Sequence, residues 1–246
     1  MLVRIATFNI RSIFDRWPER RPLLVEAFRQ IAPHVAGLQE VDFEDEKQDA
    51  LLADAVPDRR YQSFAGETRP GFGNAILVGD GTATAHETRG LELWRVAHRV
   101  RIELPGGRAL WFANTHLHHV ADDVHVRVEQ AKVLCDFMAV ARPDDTAVVV
   151  GDFNALPDEA SCAVMREAGF RSAHHTVHGH EPPITWPSGI QAETMDLEGD
   201  RGCLDYIWVR GPARIVEAHV AANEPPAHDP TIYPSDHFAV VADLEL

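Results

Sequence analysis

The chain has 246 residues, enough for one large domain or two small ones, and its core needs neither disulfides nor a structural metal. Its 45% hydrophobic and 25% charged residues exclude a disordered, collagen-like or coiled-coil protein. Lysine and arginine number 23 against 38 aspartates and glutamates, a net charge of −15 with histidine neutral. This charge disfavours sequence-blind coating of nucleic acid, so a phosphate partner must be held locally, by a metal or a few placed cations.

The cysteines and the hydropathy pattern bear on the compartment. Cys135, Cys162 and Cys203 form no CxxC pair, which disfavours zinc and dithiol chemistry and indicates a reducing compartment. The N-terminus lacks the long apolar run of a signal peptide, and no apolar stretch approaches the roughly 20 residues of a membrane-spanning helix. We therefore expect a cytoplasmic protein with no stable membrane association and no obligate protein partner.

Strand and helix patterns alternate at the start of the chain. Leu2–Ile10 is aliphatic and β-branched and predicts a strand. Apolar residues then recur at helical spacing, which predicts a helix with Pro22 in its first turn and Pro33 as its terminator. His34–Val41 has the apolar run of a strand covered on both faces, and Ala50–Val56 predicts a second helix.

The middle of the chain has an antiparallel pattern. Asn74–Val78 predicts a short strand that ends at the turn sequence Gly79-Asp80-Gly81. Arg95–Leu104 and Arg108–Thr115 flank Pro105-Gly106-Gly107, which predicts a β-hairpin.

The last hundred residues contain further helix and strand patterns. We expect a helix at Ala131–Met138 and another that Asp158 caps, which runs through Met165 and ends at Gly169. Arg171–Arg201 has no periodicity and is expected to be a loop. The expected strands are Thr146–Val150, Leu204–Val209, Arg214–Ala221 and Phe238–Leu246.

Two halves of the sequence share one plan, strand–helix–strand. The first strand of each half carries a polar residue, Asn9 or His116, and the second ends in a carboxylate, Glu40 or Asp152. A crossover of this length makes the two strands parallel neighbours, and parallel strands end at one edge of the sheet. These four side chains should therefore converge.

Other polar residues lie beside apolar strands. Asp205 interrupts one such strand, Asp236-His237 precedes another, and Asn154 follows a third. Alone, each acid is more simply a cap or turn residue. Together, carboxylates and amide oxygens without a thiolate cluster are the ligand set of a hard cation, Mg²⁺ or its substitute Mn²⁺.

Six short motifs occur in an order that resembles a known family. They are Thr7-Phe8-Asn9-Ile10, Leu38-Gln39-Glu40-Val41, Asn114-Thr115-His116-Leu117, Gly151-Asp152-Phe153-Asn154-Ala155, Leu204-Asp205-Tyr206-Ile207 and Ser235-Asp236-His237. Together they resemble the endonuclease/exonuclease/phosphatase superfamily over residues 5 to 240. Each motif alone is weak, whereas six in order are specific.

The resemblance implies a metal site and a water-activating group. It implies that Asn9 and Glu40 hold the divalent metal, with Asp236 contributing directly or through water. Asp152 is expected to activate or orient the attacking water, and Asn154 to hold that water or a phosphate oxygen.

The resemblance also implies a histidine pair and substrate contacts. Asp205 is expected to hydrogen-bond His237 and fix its tautomer, while His116 faces His237 across the phosphate. Asn74 resembles a residue that lies beside the substrate. Arg11 stands where some branches carry an acidic metal ligand, which favours phosphate contact, although pairing with an acid or exposure to solvent is an equal alternative.

Several residues have competing interpretations. Trp186 could stack on a base or a hydrophobic leaving group, but packing is the more common role of such a tryptophan. Cys203 replaces a basic residue often found at this place, which leaves the role of Arg201 open. The histidines of the 171–201 segment lack a clear metal-ligand spacing, so a solvated loop is expected there; they are His174, His175, His178 and His180. Trp94, Trp111 and Trp208 lie on strand patterns and are expected in the core.

We therefore expect an α/β protein with one domain over residues 1–246, a four-layer α-β-β-α sandwich with two mixed β-sheets. The expected function is Mg²⁺-dependent phosphoester hydrolysis, of a phosphodiester such as a nucleic acid or nucleotide-like molecule. The alternatives are a small sugar or inositol phosphomonoester, or a lipid headgroup. An inactive binding module is less compatible with the intact motifs.

Overall fold

The computed structural model describes residues 1–79, 81–103, 109–193, 195, 199 and 201–246. Its strands are β1 (Leu2–Asn9), β2 (Val35–Asp42), β3 (Gln62–Arg69), β4 (Phe72–Val78), β5 (Ala83–Gly90), β6 (Val96–Glu103), β7 (Ala109–His116), β8 (Thr146–Asp152), β9 (Arg171–Ser172), β10 (Asp205–Arg210), β11 (Arg214–Ala221) and β12 (Ala239–Glu245). Its helices are α1 (Trp17–Ile31), α2 (Gln48–Ala53), α3 (Val124–Phe137), α4 (Ala160–Glu167) and α5 (Ala173–His178), with a short 3-10 turn at Met138–Val140.

The strands form two six-stranded sheets. One has the order β11-β12-β1-β2-β4-β3, and the other has the order β5-β6-β7-β8-β10-β9. Each sheet has a parallel pair at its centre, β1 with β2 and β7 with β8, and each of these pairs is joined by a helical crossover. The two strand–helix–strand halves inferred from the sequence are therefore confirmed.

Three apolar layers hold these elements together. The inner faces of the two sheets pack on each other through side chains such as Ile5, Ile76, Phe112 and Val150. Helices α1 and α2 cover the outer face of the first sheet, and α3 and α4 cover that of the second. The predicted four-layer sandwich is confirmed. None of the helices in the described ranges is long and apolar enough to cross a membrane.

A buried polar contact joins the sheets beneath the ends of their central strands. The Asn114 amide donates to the carbonyl oxygens of Leu38 at 2.8 Å and Ala75 at 2.9 Å. The Gln39 amide donates to Asn114 Oδ1 at 2.7 Å. The sheets also approach closely at Gly37, where an added Cβ would lie 2.4 Å from Val150 Cγ2. These contacts fix the relative position of the two halves directly below their polar strand ends.

Some expected helix ends are wrong. Helix α1 begins at Trp17, so Pro18 lies in its first turn and Pro22 lies inside the helix, where it removes one backbone hydrogen bond. Asp158 does not cap α4, because that helix begins at Ala160 after Glu159. The Glu159 carboxylate instead accepts hydrogen bonds from Arg127 at 2.9 and 2.6 Å.

Other differences concern exposed segments. Strands β3 and β5 were not predicted, and the segment expected to be a loop contains β9 and α5. Trp111 and Trp208 are buried as expected, but the prediction for Trp94 is wrong, because it is 85% exposed. The hairpin strands are confirmed as β6 and β7, whereas its turn, Pro105-Gly106-Gly107, and Asp80 of the earlier turn lie outside the described residues.

Candidate active site

A cavity of about 400 Å³ opens where the central strands of both sheets end. Its wall takes polar side chains from the ends of β2, β7 and β8 and from the segments after β1 and before β12. The cavity-lining residues among those predicted for the site are Arg11, Glu40, His116, Asp152, Asn154, Trp186, Asp236 and His237. Residues more than 200 positions apart in the chain thus share one cavity.

Glu40 lies at an irregularity in the pairing of β2 with β4. The pairing of β2 with β4 shifts between Leu38 and Val41, and Glu40 adopts a left-handed conformation with φ of 57°. Such a bulge re-aims a side chain and costs backbone energy, which is typical of functional positions. Burial and the nearby Asp236 carboxylate raise the pKa of Glu40.

Asn9 links the two halves of the site. Its side-chain nitrogen Nδ2 lies 3.3 Å from Glu40 Oε1 and 3.0 Å from Asp152 Oδ2. Its Oδ1 accepts a hydrogen bond from the backbone N–H of Arg11 at 3.1 Å. Asp236 lies beside this group and accepts a hydrogen bond from Trp186 Nε1 at 3.2 Å. The oxygen-rich set of Asn9, Glu40 and Asp236 has the donor chemistry of a hard divalent cation.

Asp152 lies at the meeting point of two imidazoles. Its Oδ2 is 3.4 Å from His116 Nε2 and 3.6 Å from His237 Nε2. Its Oδ1 accepts a hydrogen bond from the backbone N–H of Asn154 at 2.9 Å. The left-handed conformation of Asn154, with φ of 48°, allows this contact. Burial raises the pKa of Asp152. This carboxylate is therefore fixed by one oxygen and faces the imidazoles with the other.

His237 and Asp205 form a buried pair. His237 Nδ1 lies 2.9 Å from Asp205 Oδ2, which also accepts the Thr185 hydroxyl at 2.6 Å. Asp205 Oδ1 is buried, with no hydrogen-bond partner in the part of the chain that the structure describes. Asp205 Oδ2 thus accepts the proton of His237 Nδ1, and the other ring nitrogen, Nε2, faces the cavity.

The two imidazoles differ in charge. Burial alone lowers the pKa of His237, but Asp205, Asp152 and Asp236 together raise it to about 10. Burial lowers the pKa of His116 well below its usual value, and the cationic neighbours Arg95 and His237 lower it further. The site therefore holds one cationic and one neutral imidazole next to the same carboxylate, an arrangement suited to different roles in proton transfer.

Asp152, Asp205 and His237 also bring one possible ligand atom each to within 4.8 Å of one another. Within this group, Asp205 Oδ2 and His237 Nδ1 already bond to each other.

The structure answers some of the open questions on substrate contacts. Arg11 lines the cavity. Its guanidinium pairs with Asp15 at 2.8 Å and lies 3.7 Å from Asp236, so of the alternatives for Arg11 the structure contains the ion pair with an acid. Asn74 is buried and is absent from the cavity lining as far as the chain is described; its amide lies 3.5 Å from the Val96 oxygen. Phe72 of the same strand lines the cavity instead.

Sequence reasoning missed several arginines in and around the site, among them Arg95 and Arg20. Arg95 lines the cavity, where burial lowers its pKa despite the nearby Asp152 and Glu40, and its guanidinium contacts His119 Nδ1 at 3.0 Å. Arg20 is fully buried and donates to six backbone carbonyls, one of them that of Pro234 at 2.9 Å. It thereby ties the loop after β1 to the segment that carries Asp236. Neither residue has a local signal, since both depend on distant chain segments.

The comparison with known families decides the relationship. The profile described as the endonuclease/exonuclease/phosphatase family matches residues 6–237. The chain belongs to this family. The resemblance inferred from the six motifs is therefore confirmed.

Relatives and solved structures agree with this membership. The chain is 29% identical to nocturnin of Drosophila melanogaster over a 290-residue alignment that covers 94% of this chain and 42% of the relative. Nocturnin of Xenopus laevis is 28% identical over 154 residues, 56% of this chain and 37% of the relative. The chain thus spans less than half the length of the curated relatives it matches.

Two solved structures have the same fold. One is D. rerio TDP2 complexed with a single-strand DNA product, with a TM-score of 0.80 and 16% identity over 100% of this chain and 99% of that one. The other is the human nocturnin catalytic domain with a bound sulfate anion, with a TM-score of 0.79 and 22% identity over 99% and 93%.

Proposed function

We propose that this chain hydrolyses phosphodiester bonds with the support of Mg²⁺, on a nucleic acid or nucleotide-like substrate. The observation that carries the proposal is the position of Asp152, with one carboxylate oxygen at 3.0 Å from Asn9 and within 3.6 Å of both imidazoles. One carboxylate thus adjoins the cation ligands, the proton-transfer groups and the cavity.

Glu40, with Asn9 and Asp236, would hold the cation. Burial and the neighbouring Asp236 carboxylate raise the pKa of Glu40, and a divalent cation between the two carboxylates would remove their repulsion. When bound, Mg²⁺ or Mn²⁺ neutralises charge on the non-bridging phosphate oxygens and polarises the phosphorus centre.

Asp152 and the two imidazoles beside it would carry out the proton transfer and stabilise the transition state. Asp152 accepts a proton from the attacking water, and the Asn154 amide holds that water or a phosphate oxygen. His237, cationic and fixed by Asp205, directs Nε2 at the scissile phosphate, where it stabilises the negative charge that develops in the transition state. His116 contributes a second imidazole opposite it. Arg11 and Arg95 add local positive charge to the cavity wall.

Aromatic side chains in the cavity support a nucleotide-like substrate. Phe14, Phe72 and Trp186 line the cavity, and the Arg69 guanidinium lies 4.4 Å from the centre of the Phe72 ring. Bases stack on such surfaces. Trp186 is only 8% exposed and anchors Asp236, so Phe72 is the better candidate for base contact.

A small phosphomonoester is the second candidate, because a cavity of about 400 Å³ has the size of a small-molecule site and the chain carries a net charge of −15. A screen separates the two. With Mg²⁺ present, we expect nicking of supercoiled plasmid and hydrolysis of small phosphodiesters, both abolished in His237→Ala.

The matched control is His125→Ala, an exposed histidine outside the site, which should remain active. Hydrolysis of small phosphomonoesters with an intact plasmid would reverse the substrate ranking. Absence of hydrolysis in every assay, with no effect of the metal on thermal stability, would refute the enzymatic proposal and favour a binding module.

A further inference from the structure

Three histidine rings lie together outside the cavity lining. His174 and His178 belong to α5, and His180 follows that helix. The ring centres are 4.4 Å apart for His174 and His178, 5.7 Å for His174 and His180, and 6.0 Å for His178 and His180. We call these residues the three-histidine cluster.

The local fold assembles this cluster from the sequence His174-His175-Thr176-Val177-His178-Gly179-His180. Residues four apart on a helix share a face, which brings His174 and His178 together. Gly179 ends the helix with φ of 78°, and its amide donates to the His175 carbonyl at 2.8 Å. This left-handed turn, which glycine adopts readily, brings His180 back towards the other two rings.

Each ring uses one nitrogen to bond a backbone carbonyl. His174 Nδ1 lies 2.8 Å from the His180 oxygen, His178 Nε2 lies 2.7 Å from the Ala218 oxygen, and His180 Nδ1 lies 2.9 Å from the Glu181 oxygen. A carbonyl only accepts, so the bonded nitrogens carry protons, and the opposite nitrogen of each ring is the one that can bind a metal. Metal-ligating histidines are typically oriented by such a second hydrogen bond, as the buried His174 is here.

We propose that the three-histidine cluster binds a divalent transition metal such as Zn²⁺, separately from the catalytic cavity. Three imidazole ligands suit Zn²⁺, Ni²⁺ or Cu²⁺ and disfavour Mg²⁺, which prefers oxygen. His174 is 8% exposed and serves as the fixed ligand. The free nitrogens do not all lie within 4.8 Å of one another, so binding requires the exposed His178 and His180 rings to rotate and give up their carbonyl hydrogen bonds, while His174 keeps its own.

The test is a Zn²⁺ titration of the whole chain in excess Mg²⁺, by calorimetry and by ¹⁵N NMR of the histidine side chains. We expect the resonances of His174, His178 and His180 to shift together. We expect His178→Gln to weaken this binding at least about tenfold. The control is His175→Gln, a neighbouring exposed histidine of α5 that is not part of the three-histidine cluster and should bind like the wild type.

The proposal is overturned if Zn²⁺ leaves these three resonances unchanged, or if His178→Gln binds Zn²⁺ as tightly as the wild type. Zn²⁺ that binds only in the catalytic cavity would perturb His116 or His237 instead, and it would likewise overturn the proposal. Because the readout is binding and not hydrolysis, the result does not depend on the proposed function.

Discussion

His98 should make the fold sensitive to acid. This side chain is completely buried between the sheets, its Nε2 lies 3.3 Å from the Asn114 amide nitrogen, and its Nδ1 is buried with no partner among the described residues. Neither ring nitrogen faces an acceptor, because the Asn114 amide nitrogen has only hydrogens to offer. A second proton would place an uncompensated charge in the core. Burial, with a contribution from His86, lowers the pKa of His98 to about 3.

The size of the effect follows from this pKa. Below pH 6.5, the usual value, the unfolded chain takes up a proton that the folded chain does not, so stability falls with decreasing pH towards the folded pKa. Each pH unit in this window is equivalent to about 1.4 kcal/mol. Between pH 7.5 and pH 5, His98 should therefore remove about 2 kcal/mol from the free energy of unfolding.

Urea denaturation of the wild type and His98→Gln at both pH values measures this contribution. The wild type should lose about 2 kcal/mol more than the variant over this range, whatever the variant's stability at pH 7.5. His86→Gln is the matched control, since its exposed ring contacts His98 but leaves the buried imidazole in place. Equal pH-induced losses in the wild type and His98→Gln would refute the reasoning.

Three further variants test the site and its scaffold. Asp205→Asn should stay folded and lower kcat/KM about 10²-fold or more, because it removes the negative charge that keeps His237 cationic. The loss should be smaller than in Asp152→Asn; equal losses would contradict the assigned roles. Gly151→Ala should lower the free energy of unfolding, measured by urea denaturation, by about 3 kcal/mol or more. At a φ of 150° the new Cβ would lie 2.1 Å from the Thr115 backbone oxygen. The control Gly90→Ala, where no described atom lies within 4 Å of the added Cβ, should be nearly neutral. Arg20→Met should lower the free energy of unfolding by about 3 kcal/mol and also raise KM, since it leaves backbone carbonyls unpaired, including that of Pro234 near Asp236. An unchanged stability would show that Arg20 is not needed to hold this loop.

The sequence predicted the central strands because burial on both faces leaves a continuous apolar run, as in Thr146–Val150. It did not predict β3 and β5, whose sequences QSFAGETR and ATAHETRG are largely exposed and lack apolar alternation. Helix α5 was missed because six residues are too few for a helical period.

The site was predicted where chemistry and strand ends coincide, as at Glu40 and Asp152. It was not predicted where a long side chain acts on a distant segment. Arg20 has the pattern of an ordinary helix arginine, and its hydrogen bond to the Pro234 carbonyl spans 214 residues. Arg95 becomes a cavity residue only when the two sheets pack together.

A Mg²⁺ titration of phosphodiester hydrolysis by the wild type, Glu40→Gln and Asp152→Asn tests most directly whether one cavity combines a cation site with a separate proton acceptor. Glu40→Gln should need about 10–100-fold more Mg²⁺ and recover activity at high concentration, because it replaces a charged ligand by a neutral one but keeps the proton acceptor Asp152. Asp152→Asn should stay inactive at saturating Mg²⁺. Near-wild-type turnover by Asp152→Asn, or a wild-type rate that is independent of the metal, would contradict the account.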